Sequence, residues 1–167
     1  MLKLIGASLL GFVCAYYGFV SADRLKKRRD FLNEFKSSLS VIETEIVLGR
    51  YELGEIFRGI DKSQKLYGLY GICASLIEEN GIRNAWKLAS EKSGEQGCLK
   101  KEDISAVSSL GNELGMSDTD GQKKALKRAA ELIKPLADNA GEEYTRLARV
   151  YRSCGVLAGI FIILAVV

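Results

Sequence analysis

Both ends of this sequence are apolar, and almost all of its formal charge lies between them. Leu4–Ala22 is a run of nineteen residues with no formal charge, and Ser153–Val167 is a run of fifteen. This layout predicts a charged domain tethered to a membrane at both ends. As a helix rising about 1.5 Å per residue, the first run reaches roughly 28 Å, close to a hydrocarbon thickness of about 30 Å. The second reaches about 22 Å. Tyr151 and Arg152 extend it, because an aromatic ring and a snorkelling guanidinium both suit the interface.

Each run has a competing reading. The first fits a secretory signal, with Lys3 as the charged start and Val20-Ser21-Ala22 as a small-residue cleavage site. Against this, Arg24, Lys26, Lys27, Arg28 and Arg29 follow at once, and such clusters stay on the cytoplasmic side. The second fits an apolar helix buried in a soluble core. Arg146, Arg149 and Arg152 precede it, so both flanks assign the middle of the chain to the cytoplasm and the termini to the far side. The predicted organisation is an anchor over 1–22, a cytoplasmic helical domain over 23–152 and a second anchor over 153–167.

The central stretch has ordinary single-domain length. The whole chain carries a net charge of +3, and removing Lys3 leaves +2 for residues 23–152. That is too little for a nucleic-acid binder, and the basic clusters read as topology signals attracted to anionic lipid. Cys14, Cys73, Cys98 and Cys154 show no paired spacing and read as reduced thiols. The chain has no histidine, which removes the commonest general base and metal ligand. It has no glycine-rich phosphate loop ending in Gly-Lys-Ser/Thr, and Gly68-Leu69-Tyr70-Gly71 is no nucleotide fingerprint, so ATP hydrolysis would have to come from a partner. Glu78-Glu79, Glu102-Asp103 and Glu142-Glu143 read as solvated helix faces. No catalytic, cofactor-binding or metal-ligating residue is predicted.

The periodicity is helical throughout. Leu32, Phe35, Leu39, Ile42 and Ile46 recur at steps of three and four, predicting a seam continuous with the first anchor to about Leu48, with Gly49 as the stop. A short helix follows over 52–60, and Leu66, Leu69, Tyr70, Cys73, Leu76 and Ile77 mark another, ending at Asn80-Gly81. Ile82 to about Glu91 contains Trp86, the one tryptophan, as a core anchor, and Ser93-Gly94-Glu95-Gln96-Gly97 reads as a loop. Ile104, Val107, Leu110 and Leu114 form an apolar face ended by Gly115, and Ser117 suits an N-cap beside Asp118 and Asp120. Leu126, Ala129, Ile133, Ala137 and Ala140 keep helical spacing, with a kink or break expected near Lys134 from Pro135. A last helix starts near Gly141. The expected fold is all-α, an antiparallel bundle of about six helices whose first and last members extend into the membrane.

Two patterns point to contacts. Ala7, Gly11, Ala15, Gly18 and Ala22 line one face of the first anchor, and Gly155 and Gly159 stand one turn apart in the second. Small residues permit close backbone approach, the main resource for helix association in lipid. The stripe serves either packing of the anchors on each other or packing on a partner subunit. The corner Leu110, Gly111, Leu114, Gly115, Ser117, Asp118 and Gln122 has the residue types a tight helical turn requires; it equally suits a docking corner.

Three stretches of the chain resemble a known family. They are Glu43-Thr44-Glu45-Ile46 with Gly49 and Leu53-Gly54-Glu55; Leu110-Gly111-Asn112-Glu113-Leu114-Gly115-Met116-Ser117-Asp118 with Gln122; and Tyr151-Arg152-Ser153-Cys154-Gly155-Val156-Leu157-Ala158-Gly159. In order and spacing these are similar to the stage III sporulation protein AB family of endospore-forming bacteria, with Cys154 standing where a leucine is expected. The resemblance implies a domain like the cytoplasmic modules of the inner-membrane platform proteins in type II secretion and type IV pilus systems. It implies residence in the mother-cell membrane around the forespore during engulfment. It also implies work beside a secretion-type ATPase, stage III sporulation protein AA, and other membrane subunits of a channel complex. A general membrane-tethered adaptor or signalling bundle is the alternative.

Overall fold

The computed structural model describes residues 2–49, 52–63, 66–115 and 118–166. They form five α-helices and one 3₁₀ turn: α1 (Leu2–Leu48), α2 (Leu53–Ser63), α3 (Leu69–Gln96), α4 (Lys101–Ser109), the turn Leu110–Asn112, and α5 (Thr119–Val166). There is no strand among the described residues. Gly81, at φ 69° and ψ 160°, divides α3 into two helical segments, so the expected end at Asn80-Gly81 is a kink without a connecting loop. The all-α bundle expected from the periodicity is the fold observed.

The chain forms two compact units. One comprises residues 1–29 with 139–167, the other residues 30–138, so α1 and α5 each contribute to both. In the second unit the seam of α1 is buried: Phe31, Leu32, Phe35, Leu39 and Ile42 are almost wholly shielded from solvent. Trp86 is the hub of this core. Its ring centroid lies 5.5 Å from Phe57, 5.7 Å from Tyr70 and 6.2 Å from Phe35, all in the tilted arrangements aromatic quadrupoles favour. Its indole Nε1 donates to the Val107 carbonyl at 2.8 Å, which satisfies the one polar atom of the side chain. Ser38 Oγ donates to the Phe35 carbonyl at 2.6 Å, leaving its lone pairs to accept from the buried Tyr70 hydroxyl at 2.5 Å. From α5, Leu126, Ala129, Ile133 and Ala137 complete the shielded apolar set.

Three expectations change. The stretch Ser93–Gln96 is the last turn of α3, and only Gly97 to Lys100 connects it to α4. Gly94 reads as a loop residue because glycine marks turns, but it lies in the helix, and both it and Gly97 of the connection make room for side chains. A Cβ at either would stand 2.7 Å from Ile104 or Phe31. Second, Pro135 lies inside an unbroken α5. Proline removes the hydrogen bond to the carbonyl four residues back. Pro135 and Glu131 are both exposed, so water can solvate the carbonyl that is released. Third, Asp103 is fully buried, unlike a solvated face, because its carboxylate accepts the Lys100 backbone N–H at 2.9 Å at the start of α4.

Candidate functional sites

The first unit is a pair of antiparallel helices whose closest approach is made by glycine. A Cβ built on Gly18 would lie 2.5 Å from the Tyr151 carbonyl oxygen and 3.1 Å from the Gly155 Cα. One on Gly159 would lie 2.6 Å from the Gly11 carbonyl oxygen, and one on Gly155 would lie 2.9 Å from that of Cys14. No side chain fits at these four positions without moving the opposite backbone. The structure therefore brings Gly11 together with Gly159, and Gly18 with Gly155. Ala22 is fully buried in the same unit and Ala15 half-buried, while the side chain of Ala7 lies outside the described residues.

With glycine inside, the large apolar side chains point outward. Phe12 is 80% exposed and Phe161 73%, with Leu9, Val13, Leu157 and Leu164 also on the outer surface. Among the described residues one helix, across Thr119–Ala165, is long enough to cross a membrane and contains an 18-residue window apolar enough to do so, with mean hydropathy 1.7.

Where the apolar surface ends, the charges are sorted. Arg24, Lys26, Arg146, Arg149 and Arg152 are exposed. Three other predicted topology residues are engaged in pairs. Lys27 meets Asp23 at 3.3 Å on the same helix face. The guanidinium of Arg29 sits 4.1 Å from the centroid of the Tyr144 ring. Arg28 is 5% exposed and donates from Nη1 to Glu143 Oε2 at 2.7 Å. Glu143 was expected on a solvated face and is half-buried, because this partner draws it inward. Sequence reasoning missed these cross-helix contacts. The adjacent carboxylates Glu142-Glu143 opposite a basic run were the only signal, and it becomes readable once the antiparallel register is known.

The corner motif lies in the second unit. Leu110, Gly111 and Leu114 are buried, and Gly115, the expected terminator, takes a left-handed φ of 74°. A Cβ on Gly111 would stand 2.5 Å from Trp86 Cδ1, so the 3₁₀ turn lies directly against the indole. Asp118 caps α5: its Oδ1 accepts the Gly121 N–H at 2.9 Å, and its carbonyl accepts from Gln122 at 3.0 Å. The predicted cap Ser117 lies outside the described residues, and the cap falls one residue later because the Asp118 carboxylate reaches the third N–H of the helix. Gln122 is half-buried beside it. Glu113 pairs with Arg128 of α5, tying the corner to the helix it introduces.

The family model described as Stage III sporulation protein AB matches residues 3–167. The chain belongs to that family. Stage III sporulation protein AB of Bacillus subtilis (strain 168) is 25% identical to it over 168 residues, covering 98% of each chain. A solved structure of a stage III sporulation protein AB superposes with a TM-score of 0.64 at 21% identity, covering 71% of this chain and 96% of the other, which supports the fold. Membership makes this a sporulation protein. The family match covers all three of the sequence stretches that carry the resemblance, the Trp86-facing corner and the glycine-lined pair included.

Proposed function

We propose that the protein is a non-catalytic membrane platform subunit of a sporulation channel complex. In this reading both apolar ends cross the mother-cell membrane around the forespore as one helix pair. The helical domain is cytoplasmic and couples a secretion-type ATPase, stage III sporulation protein AA, to the other membrane subunits. The observation that carries the reading is the glycine-lined pair with its outward apolar side chains and exposed basic residues at one end. Helices in lipid gain nothing from hiding leucine and phenylalanine from one another, and pack instead through small residues and backbone contact. Arginine and lysine at one end of the pair fix that end on the cytoplasmic side. The chain itself has no histidine and no phosphate loop, which agrees with leaving the chemistry to a partner.

The test is co-purification. Full-length protein in native membranes should capture the ATPase from sporulating cells after mild detergent extraction. The captured complex should hydrolyse ATP, while the protein alone should show none above the blank. Failure to capture the ATPase, with the protein intact in the membrane fraction, would remove the coupling role. Recovery of the protein in the soluble fraction would remove the membrane role.

A further inference from the structure

Between the second segment of α3 and α4 runs a half-open groove of about 650 Å³. Arg83, Lys87 and Lys101 bring positive charge to its lining, and Glu91 is the only carboxylate there. The neutral part of the lining is rich in hydrogen-bonding groups, notably Asn84, Ser105 and Asn112. Neither Lys87 nor Lys101 has an ion pair or a side-chain hydrogen bond within the described protein, and the same holds for Asn84, Ser105 and Asn112. Lys87 and Glu91 are one helical turn apart, a spacing that supports pairing, yet no ion pair joins them.

The groove is held in shape by the corner motif. Trp86 points into the core, receives the 3₁₀ turn against its ring at Gly111, and binds the Val107 carbonyl of α4. On its helix Arg83, three residues before it, and Lys87, the next residue, face the groove, and Asn112 reaches it from the turn itself. Both walls are thus fixed to one buried indole. A rigid wall spares a ligand part of the ordering cost of binding.

We infer that this groove receives an acidic segment of a partner protein. Its chemistry is that of carboxylate recognition: unspent ammonium groups flanked by amide and hydroxyl donors, with the net charge complementary to glutamate and aspartate. A nucleotide suits it less. Ile104 is the one large apolar residue of the lining, so a base has no aromatic face to stack on, and no glycine-rich loop presents backbone N–H groups to phosphates. The inference rests on the proposed reading of the domain as a docking module, and it adds the surface and the chemistry of its ligand.

The experiment uses full-length protein in uncharged detergent micelles and a fluorescein-labelled poly-glutamate peptide, followed by fluorescence anisotropy. Saturable binding that weakens with added salt is expected, with no binding of a poly-glutamine counterpart. The double variant K87E/K101E should weaken affinity by about tenfold or more. The variant K124E/K127E makes the same charge change at exposed positions of α5 and should stay within about twofold of the parent. Equal losses in the two variants would overturn the inference, since binding would then follow overall charge. So would displacement of the peptide by ATP at lower concentrations than unlabelled peptide requires. The platform reading fails separately: peptide binding that depends on Lys87 and Lys101, with no ATPase captured by the parent protein, would sink that reading and leave the groove assignment in place.

Discussion

The two compact units bury helices by opposite means. In the unit of residues 30–138, large aromatic side chains occupy the interior, and Trp86, Tyr70, Phe31, Phe35 and Phe57 are wholly inaccessible. In the unit of residues 1–29 and 139–167, the interior is glycine and alanine, and phenylalanine and leucine stand outside. One chain, and even the same two helices, thus shows both solutions. In water, the gain comes from removing apolar area, and bulky side chains supply most of it. In hydrocarbon that gain vanishes, and close backbone contact replaces it. Under the proposed membrane reading, the position of a phenylalanine, inward at Phe35 and outward at Phe12, reports which solvent each stretch of α1 suits.

The sharpest way to break this comparison is to empty each interior in turn. Trp86→Ala removes the hub of the aromatic core and should destabilise the unit of residues 30–138 by roughly 3–5 kcal/mol, the usual cost of truncating a buried large aromatic. Urea titration of full-length protein in detergent, followed by circular dichroism, should lose its cooperative transition or shift it far toward low denaturant. Phe12→Ala, also an aromatic truncation but on the outer surface of the other unit, should leave the transition where it was. A comparable loss from both would show that the two units are built alike.

Much of this contrast was legible in the sequence. The seam from Leu32 to Ile42 announced an inward face because its spacing follows one side of a helix. Gly11, Gly18, Gly155 and Gly159 were legible as a small-residue face by the same spacing argument, although two partners remained open for it. The contacts across helices were not legible. That Gly18 meets Gly155, or that Arg28 meets Glu143, depends on register between segments more than a hundred residues apart, which periodicity within one helix does not contain. The loop misread at Ser93–Gln96 has the same origin. Glycine placed for close packing and glycine placed for a turn look identical until the neighbour is known. At Pro135 local propensity was overridden: the proline is exposed and the helix runs on through it.

The second test acts on the glycine-lined pair. Gly18→Leu keeps the first segment apolar and of the same length, so insertion into membranes should be unaffected. The new side chain meets the Tyr151 carbonyl and must push the helices apart, at a cost of about 1–3 kcal/mol. Gly159→Leu attacks the same interface from the other helix. The double variant should cost less than the two single losses combined, since one lesion already opens the pair. Thermal unfolding of membrane-extracted protein, followed by circular dichroism, provides the readout. Strict additivity would mean that the two glycines serve separate faces.

A smaller effect is expected at Arg28. Truncating it to alanine leaves Glu143 half-buried without its 2.7 Å partner, and the partial exposure of Glu143 discounts the loss to roughly 1–3 kcal/mol. Replacing both residues by methionine should recover most of it, because an apolar pair of similar length has no charge to strand. If R28M/E143M were as unstable as Arg28→Ala, the packing of the guanidinium stem would be the important contribution and the ion pair incidental.

The mildest perturbation is alkaline pH, and it tells the two units apart. Burial pushes the Cys73 thiol from an ordinary value of 9.0 up to about 12. Burial also raises the Tyr70 phenol, against a smaller lowering by its Ser38 hydrogen bond. Both groups stay protonated in the folded chain while the unfolded chain begins to ionise near its ordinary values. Between pH 9 and 12 the unfolded state therefore binds fewer protons, and stability falls as pH rises, by up to about 1.4 kcal/mol per pH unit for each group. Below pH 9 the Cys73 contribution is fully present. At pH 10, urea titration should show the Cys73 share as a loss of about 1 kcal/mol relative to pH 8, and Cys73→Ala should flatten that part of the slope while lowering stability at both pH values. The glycine-lined interface has no ionisable group among its closest contacts, so the penalty of Gly18→Leu should be the same at both pH values. A slope unchanged by Cys73→Ala would mean that other groups, the basic residues among them, carry the alkaline sensitivity.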